Sequence, residues 1–216
     1  MNQPLPAPKG FRLAQKLLRV LLRLLTRLDV EGLEHLPARG PAILTTNHVV
    51  WTDVAFVAAF AKAAPVTLAA EKWEGVPLIG WLLAHFGQAI FVHRGEPDRH
   101  ALMAVLKALQ EGNVLGIAPE GTRSYTGILQ EGKDGTAWLA SRTGALLVPV
   151  VVWGHEHMFS DLLHLRRAHV HFRVGRPYRL PEEARRARSR DLKQYTEMIM
   201  RRMAELLPPE RRGIYA

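Results

Sequence analysis

The chain has 216 residues, 48% of them apolar, which is enough to bury one sizeable core, and we expect a single domain. Lys and Arg number 29 against 20 Asp and Glu, so the formal net charge of +9 favours nucleic acid, anionic lipid or phosphorylated molecules as partners. Cysteine is absent, which excludes disulfides, thiolate metal sites and cysteine nucleophiles.

The N-terminal residues lack the basic, apolar and small-residue order of a secretory signal, and no run of about 18 residues is free of polar interruption. We therefore expect neither a signal peptide nor a helix that spans a bilayer. The longest apolar stretch, residues 76–92, contains a proline, two glycines and two polar side chains. It predicts a buried helix over Pro77–Phe86, a glycine turn and a strand over Ala89–Val92.

The first predicted element is an amphipathic helix over Phe11–Leu28, with leucines on one face and only basic residues opposite. The basic residues follow helical spacing and are Arg12, Lys16, Arg19, Arg23 and Arg27. Such a helix either docks on the domain by its leucines or lies in a membrane surface. The absence of acidic residues favours the membrane, where each basic residue contributes about 1 kcal/mol. We divide the chain into residues 1–35, this helix and its connection, and residues 36–216, the main domain.

Apolar strands alternate with helical segments through the rest of the chain. The predicted strands are Ala42–His48, Val66–Ala70, Ala89–Val92, Val114–Ala118 and Leu146–Trp153, with extended chain from His169. The predicted helices are Asp53–Ala64, Asp98–Glu111, Thr136–Thr143 and a C-terminal one. This alternation predicts an α/β domain with a largely parallel mixed sheet flanked by helices.

His48 and Asp53 stand where the strand at 42–48 leads into a helix. If the Asp53 carboxylate accepts from one ring nitrogen of His48, the other nitrogen is free to take a proton from an alcohol. The alternative is structural, with Asp53 or Thr52 as the helix N-cap and His48 as a core histidine.

The segment Ala118–Ser124 follows another strand and combines groups that suit a phosphate. Gly121 lets a phosphate approach the backbone closely, and Thr122 and Ser124 carry hydroxyls that can donate hydrogen bonds. Arg123 has a planar guanidinium group that can bind a phosphate through two hydrogen bonds. We expect Glu120 to hold Arg123, a backbone amide or a substrate hydroxyl. The alternative is an ordinary polar turn with an exposed ion pair.

Two further strand ends have the same character. Arg94 follows the strand at 89–92 and is a second candidate phosphate ligand. Pro149 lies inside an apolar run and indicates a strand edge, bulge or end, because proline donates no hydrogen bond to a ladder.

Together these segments resemble the glycerolipid acyltransferase family, which includes 1-acyl-glycerol-3-phosphate and glycerol-3-phosphate acyltransferases. The matching positions span about Gly40–Val152. The first motif, His-x4-Asp, is matched by Asn47, His48 and Asp53, and the second by Gly87–Arg94 with Phe91. The later matches are Pro119–Ser124, then Lys133 and Gly135, and finally Val148–Val150. Ala118 stands where the family usually has an aromatic residue, and His93 precedes Arg94.

The resemblance implies that His48, oriented by Asp53, deprotonates the acceptor hydroxyl, which attacks an acyl thioester directly. It implies an acceptor phosphate bound by Gly121, Thr122 and Arg123, with Arg94 and Lys133. We add Glu120 and Ser124 to the predicted substrate-binding residues. The segment Trp73–Phe86 is a candidate lining of an acyl channel, and the alternative is that its residues are ordinary core. No metal or cofactor is expected beyond acyl-CoA or acyl carrier protein as co-substrate.

The predicted reaction is acylation of the sn-2 hydroxyl of 1-acyl-glycerol 3-phosphate to phosphatidic acid, in phospholipid biosynthesis. The predicted place is the cytoplasmic side of the cell membrane, peripheral or monotopic, on an anionic surface. Glycerol 3-phosphate or another lysolipid is the alternative acceptor, and a non-enzymatic anionic-lipid binder is the alternative class. We expect no nucleic-acid partner, since stacking aromatics do not interleave the basic residues, and no lipid hydrolase, since a Gly-x-Ser-x-Gly elbow is missing. The histidine pairs at 155–157 and 169–171 are conceivable metal ligands, but we predict no required metal.

Overall fold

The computed structural model describes residues 7, 10–70, 76, 88–92 and 99–216. The predicted helix Pro77–Phe86, the candidate channel lining Trp73–Phe86 and the candidate phosphate ligand Arg94 therefore lie outside the described residues.

The described residues form one seven-stranded sheet with the order β1-β7-β6-β2-β5-β3-β4. The strands are β1 Thr26–Glu31, β2 Ala42–Thr46, β3 Val66–Ala70, β4 Ala89–Val92, β5 Val114–Ile117, β6 Leu146–Trp153 and β7 Ala168–Val174. All neighbouring pairs are parallel except β6 and β7, which are antiparallel. The prediction of an α/β domain with a largely parallel mixed sheet is confirmed.

The helices connect these strands and cover both faces of the sheet. Within the described residues they are α1 Phe11–Leu25, α2 Asp53–Phe60, α3 Arg99–Gln110, α4 Gly135–Thr143, α5 Met158–Leu163 and α6 Leu192–Ala204. Alternate residues of β2 point to opposite cores, because side chains alternate along a strand. Ile43 packs in the core with α3, α4 and α6, whereas Leu44 packs with α2 and the buried Phe172.

The N-terminal helix is shorter than predicted. It ends at Leu25, and the chain becomes extended at Thr26, whose hydroxyl donates to the Leu22 carbonyl oxygen at 2.7 Å. Arg27 and Leu28, which we assigned to the helix, belong instead to β1, which pairs in parallel with β7. The helical spacing of the basic residues continues past the true end, so the spacing alone did not mark it.

Helix α1 packs on α2 through a stripe that contains Gln15 and Leu22 and that borders its other leucines. The Gln15 amide nitrogen donates to the carbonyl oxygens of Ala58 and Ala61, both at 2.7 Å. Leu22 is buried, with 4% of its surface exposed. The exposed apolar residues of the helix are Leu13, Leu17, Val20, Leu21 and Leu24. The described contacts of α1 thus leave most of its leucine face to solvent.

Candidate active site

Three adjacent parallel strands bring the predicted site residues to one edge of the sheet. Strand β2 lies between β5 and β6 and is parallel to both, so the carboxyl ends of all three meet there. The side chain of Asn47 joins the carboxyl ends of β2 and β6. Its amide nitrogen donates to the Val152 carbonyl oxygen at 2.8 Å, and its oxygen accepts the Val152 N–H at 2.9 Å.

His48 and Asp53 form the predicted pair, with His48 Nδ1 at 2.8 Å from Asp53 Oδ2. The same oxygen accepts the backbone N–H groups of Val49 at 2.7 Å and Val50 at 3.1 Å. Asp53 therefore points back to the loop before α2. Thr52 occupies the N-cap position, and its side chain makes no capping hydrogen bond. The structural alternative is thus right that Thr52 is the N-cap residue, but it does not account for the contact between His48 and Asp53.

The surroundings of Asp53 keep its carboxylate ionised. Asp53 is only 1% exposed, and this burial raises its pKa, but hydrogen bonds from His155 and His48 oppose the effect, and the net result is a lowered pKa. With Nδ1–H of His48 donated to this carboxylate, Nε2 carries the free lone pair. The His48 side chain remains 21% exposed. The arrangement suits a general base for a hydroxyl.

A second histidine that the sequence did not assign to the site contacts the same carboxylate. His155 Nε2 lies 2.5 Å from Asp53 Oδ1, and the residue is 2% exposed. We considered His155 only as a metal ligand together with His157. Its position just after the end of β6, the neighbour of β2, was the available signal.

The block Pro119–Ser124 is attached to the backbone of His48. Glu120 Oε1 accepts the His48 N–H, and Oε2 accepts the Gln130 N–H, both at 2.9 Å. The Ser124 N–H donates to the His48 carbonyl oxygen at 2.7 Å. The loop after β5 is therefore positioned against the histidine.

Two of the residues that we predicted to bind substrate are used inside this loop. Glu120 is buried, and both of its oxygens hold backbone amides, which was one of the three roles considered for it. Burial raises the pKa of Glu120 more than these two hydrogen bonds lower it. Ser124 is also buried, and its hydroxyl donates to the Ile128 carbonyl oxygen at 2.6 Å. Both side chains shape the loop.

Gly121, Thr122 and Arg123 of the block are accessible, and Lys133 lies beside Gly121. Gly121 has φ +66°, and a Cβ there would lie 2.9 Å from Cδ of Lys133. The Lys133 N–H donates to the Pro119 carbonyl oxygen at 2.8 Å. Thr122 and Lys133 are exposed and Arg123 is half-buried. Among the described residues, no carboxylate pairs with Arg123 or Lys133, so these cations can receive an anionic ligand.

One group of side chains in the described residues is close enough together to hold a metal ion. The candidate ligand atoms of Asp29, His169 and His171 lie within 4.8 Å of one another. Arg173, however, donates to the Asp29 carboxylate and supplies a positive charge there. These residues lie on β1 and β7, at the sheet edge away from β2. The prediction that no metal is required stays a prediction.

The fold is that of an α/β protein in which His48 lies beside a loop with Arg123, and Arg123 and Lys133 pair with no carboxylate among the residues that the structure describes. The sequence profile of the family described as Acyltransferase matches residues 27–153, more than half of the chain. The chain belongs to this family. The resemblance predicted from the sequence motifs is confirmed.

Relatives of this chain are similar in sequence and in fold. A 1-acyl-sn-glycerol-3-phosphate acyltransferase of Borreliella burgdorferi is 31% identical over 136 residues, 62% of this chain and 54% of that protein. One from Bacillus subtilis is 26% identical over 202 residues, 91% of this chain and 96% of that protein. The crystal structure of the 1-acyl-sn-glycerophosphate acyltransferase PlsC from Thermotoga maritima has a TM-score of 0.68 at 22% identity, covering 88% of this chain and 76% of that one. Several curated relatives are longer, and the chain spans about half of their length or less.

Among the helices of the described residues, none combines the length and the apolar character that crossing a membrane requires.

Proposed function

We propose that this protein transfers a fatty acyl group from acyl-CoA or acyl carrier protein to the sn-2 hydroxyl of 1-acyl-glycerol 3-phosphate, which yields phosphatidic acid. The observation that carries the proposal is the His48–Asp53 pair, at 2.8 Å, with the Arg123 loop hydrogen-bonded to the backbone of His48. The Borreliella and Bacillus relatives, which are 1-acyl-sn-glycerol-3-phosphate acyltransferases, support the choice of acceptor.

The proposed reaction needs no covalent acyl-enzyme. His48 Nε2 takes the proton of the acceptor hydroxyl while its oxygen attacks the thioester carbonyl, and the lowered pKa of Asp53 keeps a negative charge beside the resulting imidazolium. When the new C–O ester bond has formed, the C–S bond breaks, and the imidazolium returns the proton to the thiolate. The ester, the free thiol and neutral His48 remain.

The acceptor phosphate is held by the exposed end of the loop. Arg123 and Lys133 supply positive charge, and the Thr122 hydroxyl supplies a hydrogen-bond donor. Gly121 has no side chain and lets the phosphate approach the backbone closely. Because the loop is tied to His48, a phosphate bound there places its glycerol hydroxyl near the base. Such positioning can supply roughly 7–11 kcal/mol of the barrier reduction. Glu120 and Ser124 act by maintaining the loop and not by binding the substrate.

We also propose that the protein works peripherally on an anionic membrane, on the cytoplasmic side where both thioester carriers are dissolved. Support comes from the exposed leucines of α1, beside which Lys16 and Arg23 are also exposed. A second group of exposed apolar side chains begins three residues after His48: Trp51 and Phe159 stack with ring centroids 5.9 Å apart. Arg167 donates to the Thr26 carbonyl oxygen at 2.5 Å, which joins the segment after α5 to the end of α1.

The test combines purified protein, a labelled acyl thioester and a panel of acceptors in mixed micelles, with phosphatidate and free thiol both measured. We expect phosphatidate from the wild type and a loss of about a hundredfold or more in His48→Ala. His169→Ala, which removes an exposed histidine at the far sheet edge, is the matched control and should retain activity.

Other outcomes separate the alternatives. Thiol release that requires glycerol 3-phosphate or another lysolipid would keep the chemistry and change the acceptor. No thiol release with any acceptor, together with retained vesicle binding, would favour a non-enzymatic lipid-binding protein.

A further inference from the structure

The two oxygens of Asp53 have different partners. Oδ2 accepts from His48 and from the backbone N–H groups of Val49 and Val50. Oδ1 faces His155, at 2.5 Å from its Nε2. Resting on the proposed function, we infer that His155 is a positioning residue for the acyl transfer, which holds the Asp53 carboxylate in the orientation that His48 requires.

The direction of this hydrogen bond follows from the other ring nitrogen. His155 Nδ1 is buried and has no hydrogen-bond partner among the described residues. A ring protonated on both nitrogens would bury an N–H group with no acceptor, which is costly, whereas a neutral ring leaves only a lone pair unused. His155 is therefore the neutral tautomer with the proton on Nε2, and it donates to Oδ1.

The surroundings of His155 hold its ring in place. Its side chain has no exposed surface. The ring of Phe56 packs edge-on, with centroids 5.1 Å apart. Phe56 lies one helical turn after Asp53 in α2, so the same helix carries the carboxylate and the aromatic ring that confines its second partner. Contact with the Phe56 ring restricts rotation of the His155 ring away from Oδ1.

The position of His155 relative to His48 is fixed through the sheet. His155 follows β6, and His48 follows β2. The two hydrogen bonds between the Asn47 side chain and the Val152 backbone join these strand ends next to both histidines. Asp53 thus receives one imidazole from each of two adjacent strands, and its carboxylate plane is set from both sides.

Neutral His155 also suits the chemistry. During transfer, His48 becomes a cation and depends on the negative charge of Asp53. A cationic neighbour at Oδ1 would compete for that charge, whereas a neutral donor satisfies Oδ1 and leaves the net charge of the carboxylate for His48. Removal of the donor leaves Oδ1 buried without a partner, and the carboxylate can rotate to reach other donors at the expense of its contact with His48.

The test compares His155→Ala, His155→Gln and the matched control His157→Ala, which removes an exposed histidine two residues along. We expect kcat of His155→Ala to fall roughly ten- to a hundredfold, part of what general-base catalysis supplies, with the acceptor KM unchanged. The amide N–H of His155→Gln should restore much of kcat. His157→Ala should match the wild type.

A readout independent of turnover is the Nδ1–H resonance of His48 in protein with nitrogen-15-labelled histidine. In the wild type we expect this proton to be hydrogen-bonded and shifted far downfield, and in His155→Ala the shift should decrease. Wild-type kcat and an unmoved resonance in His155→Ala would overturn the inference. A folded His155→Ala with low kcat that His155→Gln does not restore would also overturn it. A wild type that transfers no acyl group, with the resonance still sensitive to His155, would refute the proposed function and leave the positioning intact.

Discussion

Two buried carboxylates lie beside His48, and burial has opposite outcomes for them. Asp53 receives imidazole donors on both oxygens, which lower its pKa despite burial. Glu120 receives only backbone N–H groups, and burial raises its pKa. Because the pKa of Asp53 is lower in the folded protein than in the unfolded chain, its ionisation stabilises the fold. This stabilisation is complete above the pKa of the unfolded chain and is lost as pH falls through the pKa of the folded protein. Asp53 is thus the permanent negative charge of the site, and Glu120 is a connector of backbone segments.

The role of Glu120 as a connector predicts the effect of Glu120→Gln. The amide group has only one accepting oxygen, so its NH2 group must face the N–H of either His48 or Gln130. One buried N–H loses its acceptor, and we expect unfolding in urea to show a loss of about 1–3 kcal/mol. Activity should fall as well, because the loop holding Arg123 is released from His48. Unchanged stability in Glu120→Gln would contradict this connecting role, and Glu131→Gln, at an exposed neighbouring position, is the control.

Arg123 has a different predicted effect, because no carboxylate among the described residues pairs with it and we propose that it binds the acceptor phosphate. In Arg123→Gln we expect the KM for 1-acyl-glycerol 3-phosphate to rise about ten- to a hundredfold, the equivalent of one charge-assisted hydrogen bond, with a smaller change in kcat. Arg176→Gln removes an exposed charge elsewhere and should leave KM unchanged. A fall in kcat alone would indicate that Arg123 acts on the transition state and not on the bound phosphate.

At the scale of elements, local pattern predicted most of the sheet. The apolar runs at Val66–Ala70, Ala89–Val92 and Leu146–Trp153 coincide with β3, β4 and β6. The end of α1 was missed because its helical spacing of basic residues extends into β1, and only pairing with β7 decides the conformation there. His155 was missed because its partner Asp53 is 102 residues away in sequence. Local pattern contains neither the strand order nor the contacts that the order creates.

Helix α1 offers a direct test of its exposed leucine face. Leu17 is 63% and Leu24 68% exposed, whereas Leu22 in the same helix is 4% exposed. In the double variant Leu17→Gln, Leu24→Gln we expect the melting temperature to be unchanged and binding to anionic vesicles to fall by roughly tenfold or more per leucine, because burial of one leucine contributes about 1.5–3 kcal/mol. Leu22→Gln should lower the melting temperature instead. A lower melting temperature of the double variant, with unchanged binding to anionic vesicles, would indicate that these leucines pack in the protein core in solution.

At the scale of the whole molecule, we expect the excess of positive charge and the apolar face of α1 to act together in the proposed binding to a membrane. The net charge of +9 attracts anionic headgroups over a distance that salt controls, since the Debye length is about 10 Å at 0.1 M and about 3 Å at 1 M ionic strength. Insertion of leucines depends little on salt. The two contributions can therefore be separated by the composition of the vesicle and of the buffer.

We expect binding to vesicles rich in phosphatidylglycerol to weaken steeply between these salt concentrations, and the residual binding at high salt to equal that to neutral phosphatidylcholine vesicles. The double leucine variant should lose the residual binding and keep the salt-sensitive component, because its charge is unchanged. Cosedimentation of wild type and variant with both vesicle types measures both components. Equal binding to both vesicle types at every salt concentration would show that charge has no part in recruitment, and the apolar face alone would then bring His48 to its substrate.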